Sequence, residues 1–175
     1  PVANTAYYKL DNSAIDLSGS TGKFDQGGVF NGSSSVIETP LRSEIQNNGT
    51  SLTFSCWVNT ATTSEGYILS NSQGDVSPFY SFIIAVNANG TVKAQKRVGS
   101  SNLVATSSGT VNDGNWHHIS VVLDSSNTTI FIDGSQDGQV SDGNAFNTFG
   151  YDFRFGAGLA NAGYNALFNG KIDQV

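Results

Sequence analysis
The chain of 175 residues is long enough to bury the core of one domain, and only 13% of it is charged, with a net charge of −6. Its 8 Lys and Arg are scattered, which excludes a basic footprint for nucleic acid or for an anionic membrane surface. An aromatic content of 11%, with apolar runs recurring throughout, excludes disorder.

No helical period of apolar residues is sustained. Short alternating runs bounded by Gly, Asn, Asp and Ser fill the length and predict an all-β sandwich. In chain order the predicted strands are 5–10, 28–31, 34–39, 51–59, 66–72, 79–87, 91–97, 102–108, 116–124, 128–133, 152–156 and 166–175. Asn89-Gly90 and Asp133-Gly134 have the composition of type I′ hairpin turns. Residues 40–50 have the character of a short helical turn, and 135–151 and 157–165 read as Gly/Asn-rich loops. With neither linker nor repeat, 1–175 reads as a single domain. The chain lacks Met and stops inside a strand-like run, so it is expected to be a piece of a longer protein. The apolar run 82–86 is too short to span a bilayer, so no membrane insertion is expected.

Alternation assigns the faces. Leu52, Phe54, Ile119, Val121, Leu123, Ile130, Ile132 and Ile172 are predicted to be core, with the lone Cys56 a buried thiol among them. Trp57, Tyr67, Arg97, His118 and Phe131 face away. They are candidate sugar-binding residues if they line one groove, or packing residues if loops cover them. Adjacent His117 and His118 point to opposite faces and cannot hold one ion together. Catalysis is not expected. A glycosidase needs paired carboxylates, and the three glutamates, Glu38, Glu44 and Glu65, lie in no closely alternating acidic run. Asp133 and Asp137 flank a turn, which Asp often shapes. Asn31, Asn48, Asn89 and Asn127 begin Asn-x-Ser/Thr sequons, frequent by chance in so Asn/Ser/Thr-rich a chain.

Three pieces in order carry a family resemblance: Phe54-Ser55-Cys56-Trp57-Val58, Gly114-Asn115-Trp116-His117-His118 and Ile130-Phe131-Ile132-Asp133-Gly134. Tyr7-Tyr8-Lys9-Leu10-Asp11, Asp16 with Ser18-Gly19, Phe30-Asn31-Gly32, Phe153-Arg154-Phe155-Gly156 and Phe168-Asn169-Gly170-Lys171-Ile172-Asp173 extend it over nearly the whole chain. Together they resemble the laminin-G-like, concanavalin A-like lectin/glucanase jelly rolls. The resemblance implies a two-sheet antiparallel jelly-roll β-sandwich. It also implies a possible structural calcium ion held by the closing-strand Asp173, with Asp11, Asp16, Asn31 and Gly32 as neighbours; otherwise Asp173 caps an edge or pairs with Lys171 or Arg154.

The function expected is that of a noncatalytic carbohydrate-binding or adhesion module of a larger extracellular or virion-surface protein. Its partner is then a glycan or a cell-surface or virion protein. The alternatives are a structural virion component, such as a phage tail or capsid decoration subunit, and a degenerate glycoside hydrolase domain.

Overall fold
A computed structural model describes residues 21–24, 26–39, 51–71, 81–98, 101–124, 126–141, 152–160 and 163–175. The predicted strand 5–10, the helical turn expected in 40–50, and Asp11 and Asp16 lie outside the described residues.

β-branched and aromatic runs punctuated by Gly and Asn extend as strands because their side chains pack on a pleated, half-buried surface. Fourteen are described: β1 (Gly28–Asn31), β2 (Ile37–Thr39), β3 (Leu52–Asn59), β4 (Gly66–Asn71), β5 (Ser81–Val86), β6 (Thr91–Val98), β7 (Ser101–Thr110), β8 (Trp116–Leu123), β9 (Asn127–Ile132), β10 (Ser135–Ser141), β11 (Phe153–Phe155), β12 (Gly158–Ala160), β13 (Gly163–Asn165) and β14 (Asn169–Asp173). They form a first sheet in the order β1-β14-β3-β8-β9-β10, a second in the order β2-β11-β4-β5-β6-β7, and the small ribbon β12-β13. All the pairings are antiparallel. This is the two-sheet antiparallel jelly roll anticipated from the sequence. No helix among the described residues is long and apolar enough to cross a membrane.

The inner faces meet in one core. Cys56, Val58, Ile119, Val121, Leu123, Ile130 and Ile172 of the first sheet pack with Ile68, Phe82, Ile84, Val86, Val92 and Ala94 of the second. Leu52, Phe54 and Ile132, expected to be fully buried, are half-buried at the margin of this core. Phe168, fully buried, sits edge-on to Phe30 at 6.2 Å.

Several boundaries differ from expectation. Strand β2 begins at Ile37 rather than 34 because Asn31 Oδ1 accepts the amides of Ser33, Ser34 and Ser35, turning the chain there. The last strand begins at Asn169 rather than 166. Ala166 takes a positive φ of 46°, its carbonyl accepts from Tyr67 N, and the Phe168 amide donates to Gly156 O. Residues 135–141, expected to be a loop, form β10, paired with β9 from Ser135 opposite Ile132. Residues 158–160 and 163–165 form the β12-β13 ribbon.

The two Gly-containing turns also part company. Asp133 and Gly134 both have positive φ, 51° and 83°, the type I′ geometry expected. Asn89 does not. Asn87 pairs with Thr91, Gly90 N donates to Asn87 O, and Gly90 alone is left-handed at 87°, so this is a three-residue loop of the type I plus bulge kind.

One inter-sheet contact closes an end of the sandwich. Strand β10 has a bulge between Gln136 and Gly138. From it the Asp137 carboxylate crosses to β7 and accepts the amides of Ser108 (3.1 Å) and Gly109 (2.9 Å).

Candidate functional site
The five candidate sugar-binding residues do not share a face. Trp57 on β3, His118 on β8 and Phe131 on β9 belong to the first sheet, where Trp57 pairs with His118, and Phe131 with Ser120. Tyr67 lies on β4 of the second sheet. Arg97 lies on β6 of that sheet, its backbone opposite Ser81 and Asn102. A single groove containing all five is therefore ruled out by topology, since a sandwich turns the outer faces of its two sheets apart.

Trp57 is engaged on several sides. Lys23 Nζ stands 4.4 Å from its ring centroid, the Phe24 ring meets it edge-on at 5.9 Å, and the His118 ring lies 5.3 Å away. The turn carrying Lys23 and Phe24 is held down by Asp173, whose Oδ2 accepts the Phe24 amide at 2.9 Å. Trp57 thus anchors this turn to the outer face of the sheet, and a sugar ring would have to displace protein contacts to stack on it. Phe131 is half-buried in the same sheet.

The described members of the calcium set, Asp173, Asn31 and Gly32, are likewise dispersed. Asp173 is on the outward side of β14 by alternation, but it is buried, at 1% exposure, beneath the 21–24 turn. Its Oδ1 accepts Gln174 N and its Oδ2 accepts Phe24 N. Asn31 pairs with Asn169 at the opposite end of β14, four positions or about 13 Å along the strand from Asp173. Gly32 N donates to Phe168 O beyond that end, and Asn31 Oδ1 already takes three amides. Asp173, Asn31 and Gly32 therefore do not fit one cation cage, and no cluster of three or more His, Cys, Asp or Glu able to hold a metal occurs among the described residues.

His117 has a role that alternation did not reveal. Its Nδ1 lies 2.8 Å from Asp133 Oδ2 and its Nε2 lies 3.1 Å from Asp113 Oδ1, while Asp133 Oδ1 accepts the His118 amide. Two carboxylate partners ask for an N–H on each ring nitrogen, which the imidazolium supplies. Burial opposes the charge, but the two aspartates outweigh it and raise the His117 pKa. Asp113 is lowered to about 2, first by Asn115 and then by His117. Asp133 is lowered too, its burial being outweighed by His117 and the His118 amide.

The outer face of the second sheet offers the better-formed polar and aromatic surface. Arg154 on β11 pairs in register with Glu38 on β2 and Ser70 on β4, and its Nε donates to Glu38 Oε1 at 2.7 Å. The Tyr164 hydroxyl, from β13, lies beside the same Glu38 carboxylate. The neighbouring Glu38 carboxylate raises the Tyr164 pKa, while the Arg154 bond leads in holding Glu38 below the usual carboxylate range. On β4, Tyr67 lies 5.5 Å from Lys93 Nζ, which is ion-paired with Glu65. Burial, with the Glu65 charge adding to it, raises the Tyr67 phenol, so both phenols stay protonated at neutral pH.

The β12-β13 ribbon links these two groups. A Cβ at Gly158 would stand 2.8 Å from the Tyr67 ring, so glycine lets the ribbon lie against the tyrosine. At its other side Tyr164 reaches Glu38. The ribbon thus spans β4, β11 and β2, about 10 Å at the usual strand spacing. Tyr67 was a sequence candidate. Tyr164 was missed because its segment read as a loop; an isolated Tyr between Gly and Asn was the available signal.

Residues 31–175 match the Laminin_G_3 family, described as the concanavalin A-like lectin/glucanases superfamily, and the chain belongs to that family. Comparison with curated proteins finds no match. Among solved structures the chain is similar to domain 4 of AbnA, a GH43 extracellular arabinanase from Geobacillus stearothermophilus, in complex with arabinotriose. The TM-score is 0.68 at 19% identity, over 96% of this chain and 77% of that one. It is similar to domains LG4-5 of the mouse laminin α1 chain, with a TM-score of 0.66 and 19% identity, over 84% of this chain but only 39% of that one. It is also similar to the CBM40 of the Ruminococcus gnavus IT-sialidase bound to α2,3-sialyllactose, with a TM-score of 0.60 and 12% identity, over 70% and 71% of the two chains. At these identities the likeness is one of fold.

Proposed function
We propose that the chain is a noncatalytic glycan-binding or adhesion module of a larger extracellular protein, and that it binds glycan on the outer face of its second sheet, at Tyr67 and Tyr164. The observation that carries this reading is Tyr164 itself. The residue is 45% exposed, yet its hydroxyl lies beside Glu38, which Arg154 holds in place. An aromatic face that is open and already oriented stacks on a sugar ring at little ordering cost. The carbohydrate complexes of the AbnA domain and of the CBM40 support the same reading by fold.

The described carboxylates with a displaced pKa do not include a raised one. A glycosidase needs one carboxyl raised so that it acts as an acid near neutrality. Glu38, Asp113, Asp124 and Asp133 are all displaced downwards.

A glycan array followed by calorimetry tests the proposal. Selective hits that weaken with Tyr164→Ala and Tyr67→Ala are expected. No hits, together with ordered oligomers in solution, would favour a structural virion component. Release of shorter sugars would favour a glycosidase.

A further inference from the structure
The two cations of the Tyr67–Tyr164 face are each turned inward behind a carboxylate. In the Lys93–Glu65 pair the lysine side chain is 17% exposed and the glutamate 40%. In the Arg154–Glu38 pair the values are 9% and 48%. A molecule approaching this surface therefore meets carboxylate oxygens first. Each carboxylate keeps lone pairs beyond those its cation occupies, and these accept from sugar hydroxyls. Of the other cations on β6, Lys96 is buried, and Arg97 is four positions beyond Lys93, about 13 Å along the strand. The chain's net charge of −6 adds to the same field.

We propose that this face selects neutral oligosaccharides and rejects those carrying carboxylate or sulfate, because its outward groups are Glu65 and Glu38 while Lys93 and Arg154 are spent on them. The proposal rests on the glycan-binding reading above and adds the charge class of the ligand. Selectivity of this kind comes from a built-in repulsion as much as from attraction. A carboxylate brought beside either glutamate is opposed by like charge, and this opposition weakens with salt.

The test is calorimetry on the whole chain at low and high salt. The neutral probes are arabinotriose, cellotriose and lactose; the anionic probes are α2,3-sialyllactose and trigalacturonate. At least one neutral probe is expected to bind, the anionic probes at least about tenfold more weakly at low salt. Tyr164→Phe, which keeps the ring, and Tyr164→Ala, which removes it, check that the signal comes from this face. Glu65→Gln and Glu38→Gln remove the outward negative charge and are expected to raise affinity for the anionic probes, with unchanged thermal melts confirming the fold. Anionic probes that bind as tightly as neutral ones, and lose binding with Tyr164→Ala, would overturn the charge rule and leave the glycan reading standing. No binding by any probe, or binding indifferent to both tyrosines, would overturn the glycan reading and the charge rule together.

Discussion

Asp173 accepts the amide of Phe24 across 149 positions of sequence, fastening the first described turn to the closing strand. Asp173 is buried and accepts a second amide from Gln174. Gly22 lies close beneath, since a Cβ there would stand 2.6 Å from Asp173 Oδ2.

Removing that carboxylate leaves two part-buried backbone amides without their acceptor. Asp173→Ala is expected to lower stability by about 1–3 kcal/mol, the usual range for losing hydrogen bonds to a charged group. Both bonds go to backbone amides and need no cation, so the loss should appear equally in chelator and in calcium. Urea denaturation in the two buffers checks this. A loss confined to calcium-containing buffer would instead make Asp173 a metal ligand.

The His117 cluster sets a pH dependence. His117 has a folded pKa above its ordinary 6.5, so its contribution is complete below 6.5 and is lost as pH rises through the raised value. Asp113 and Asp133 have folded values below their ordinary 3.8, so theirs is complete above 3.8 and is lost as pH falls through the lowered values. Between 3.8 and 6.5 all three contribute. Melting temperature should fall from pH 6 towards pH 8.5, and His117→Gln should flatten that part of the profile. The carboxylates are half-exposed, so added salt should shrink the effect.

Trp57 is expected to matter for stability and not for sugar. Lys23→Ala removes an ammonium from its ring and should cost about 0.5–1 kcal/mol, the usual size of an exposed cation–π contact. Trp57→Phe should lower the melting temperature while leaving glycan affinity unchanged. Calorimetry that shows lost affinity with Trp57→Phe would move the site to the first sheet.

Asp137 joins the sheets through Ser108 and Gly109. Asp137→Ala is expected to cost about 1–3 kcal/mol by freeing two amides. Gly109→Ala should cost a similar amount, because its Cβ would stand 2.6 Å from Asp137 Oδ2. The double variant should lose less than the sum, since both act on the same contact. A double-mutant cycle by denaturant unfolding measures this, and strict additivity would show that the contact contributes nothing.

Much of this was legible from local pattern. Alternation put Cys56, Val58, Ile119, Val121 and Leu123 inward because a strand's period of two makes the face of each side chain a local property. Asp133-Gly134 announced its hairpin because a type I′ turn demands left-handed backbone that these residues tolerate. Strand β10 went unread because Ser135–Ser141 is polar apart from Val140; it is a strand through pairing with β9 and the Asp137 contact, both set by distant residues. The β12-β13 ribbon escaped because its strands are three residues each and both begin with glycine, too short to show a period.

Periodicity shows which side of its strand a residue takes but carries no information about which sheet the strand joins. Trp57, His118 and Phe131 therefore looked equivalent to Tyr67 until pairing sent β3, β8 and β9 to one sheet and β4 to the other. Nor does alternation tell an outward residue from an exposed one: Asp173 faces outward on β14 and is nonetheless buried, because a turn nearly 150 positions earlier lies across it. The grouping of Tyr164, Glu38 and Arg154 arises the same way, from three short segments that meet only when the sheets assemble. Local chemistry determined the strands and their faces, whereas long-range pairing decided which polar groups share a surface, because that depends on strand order and on the loops that cross it.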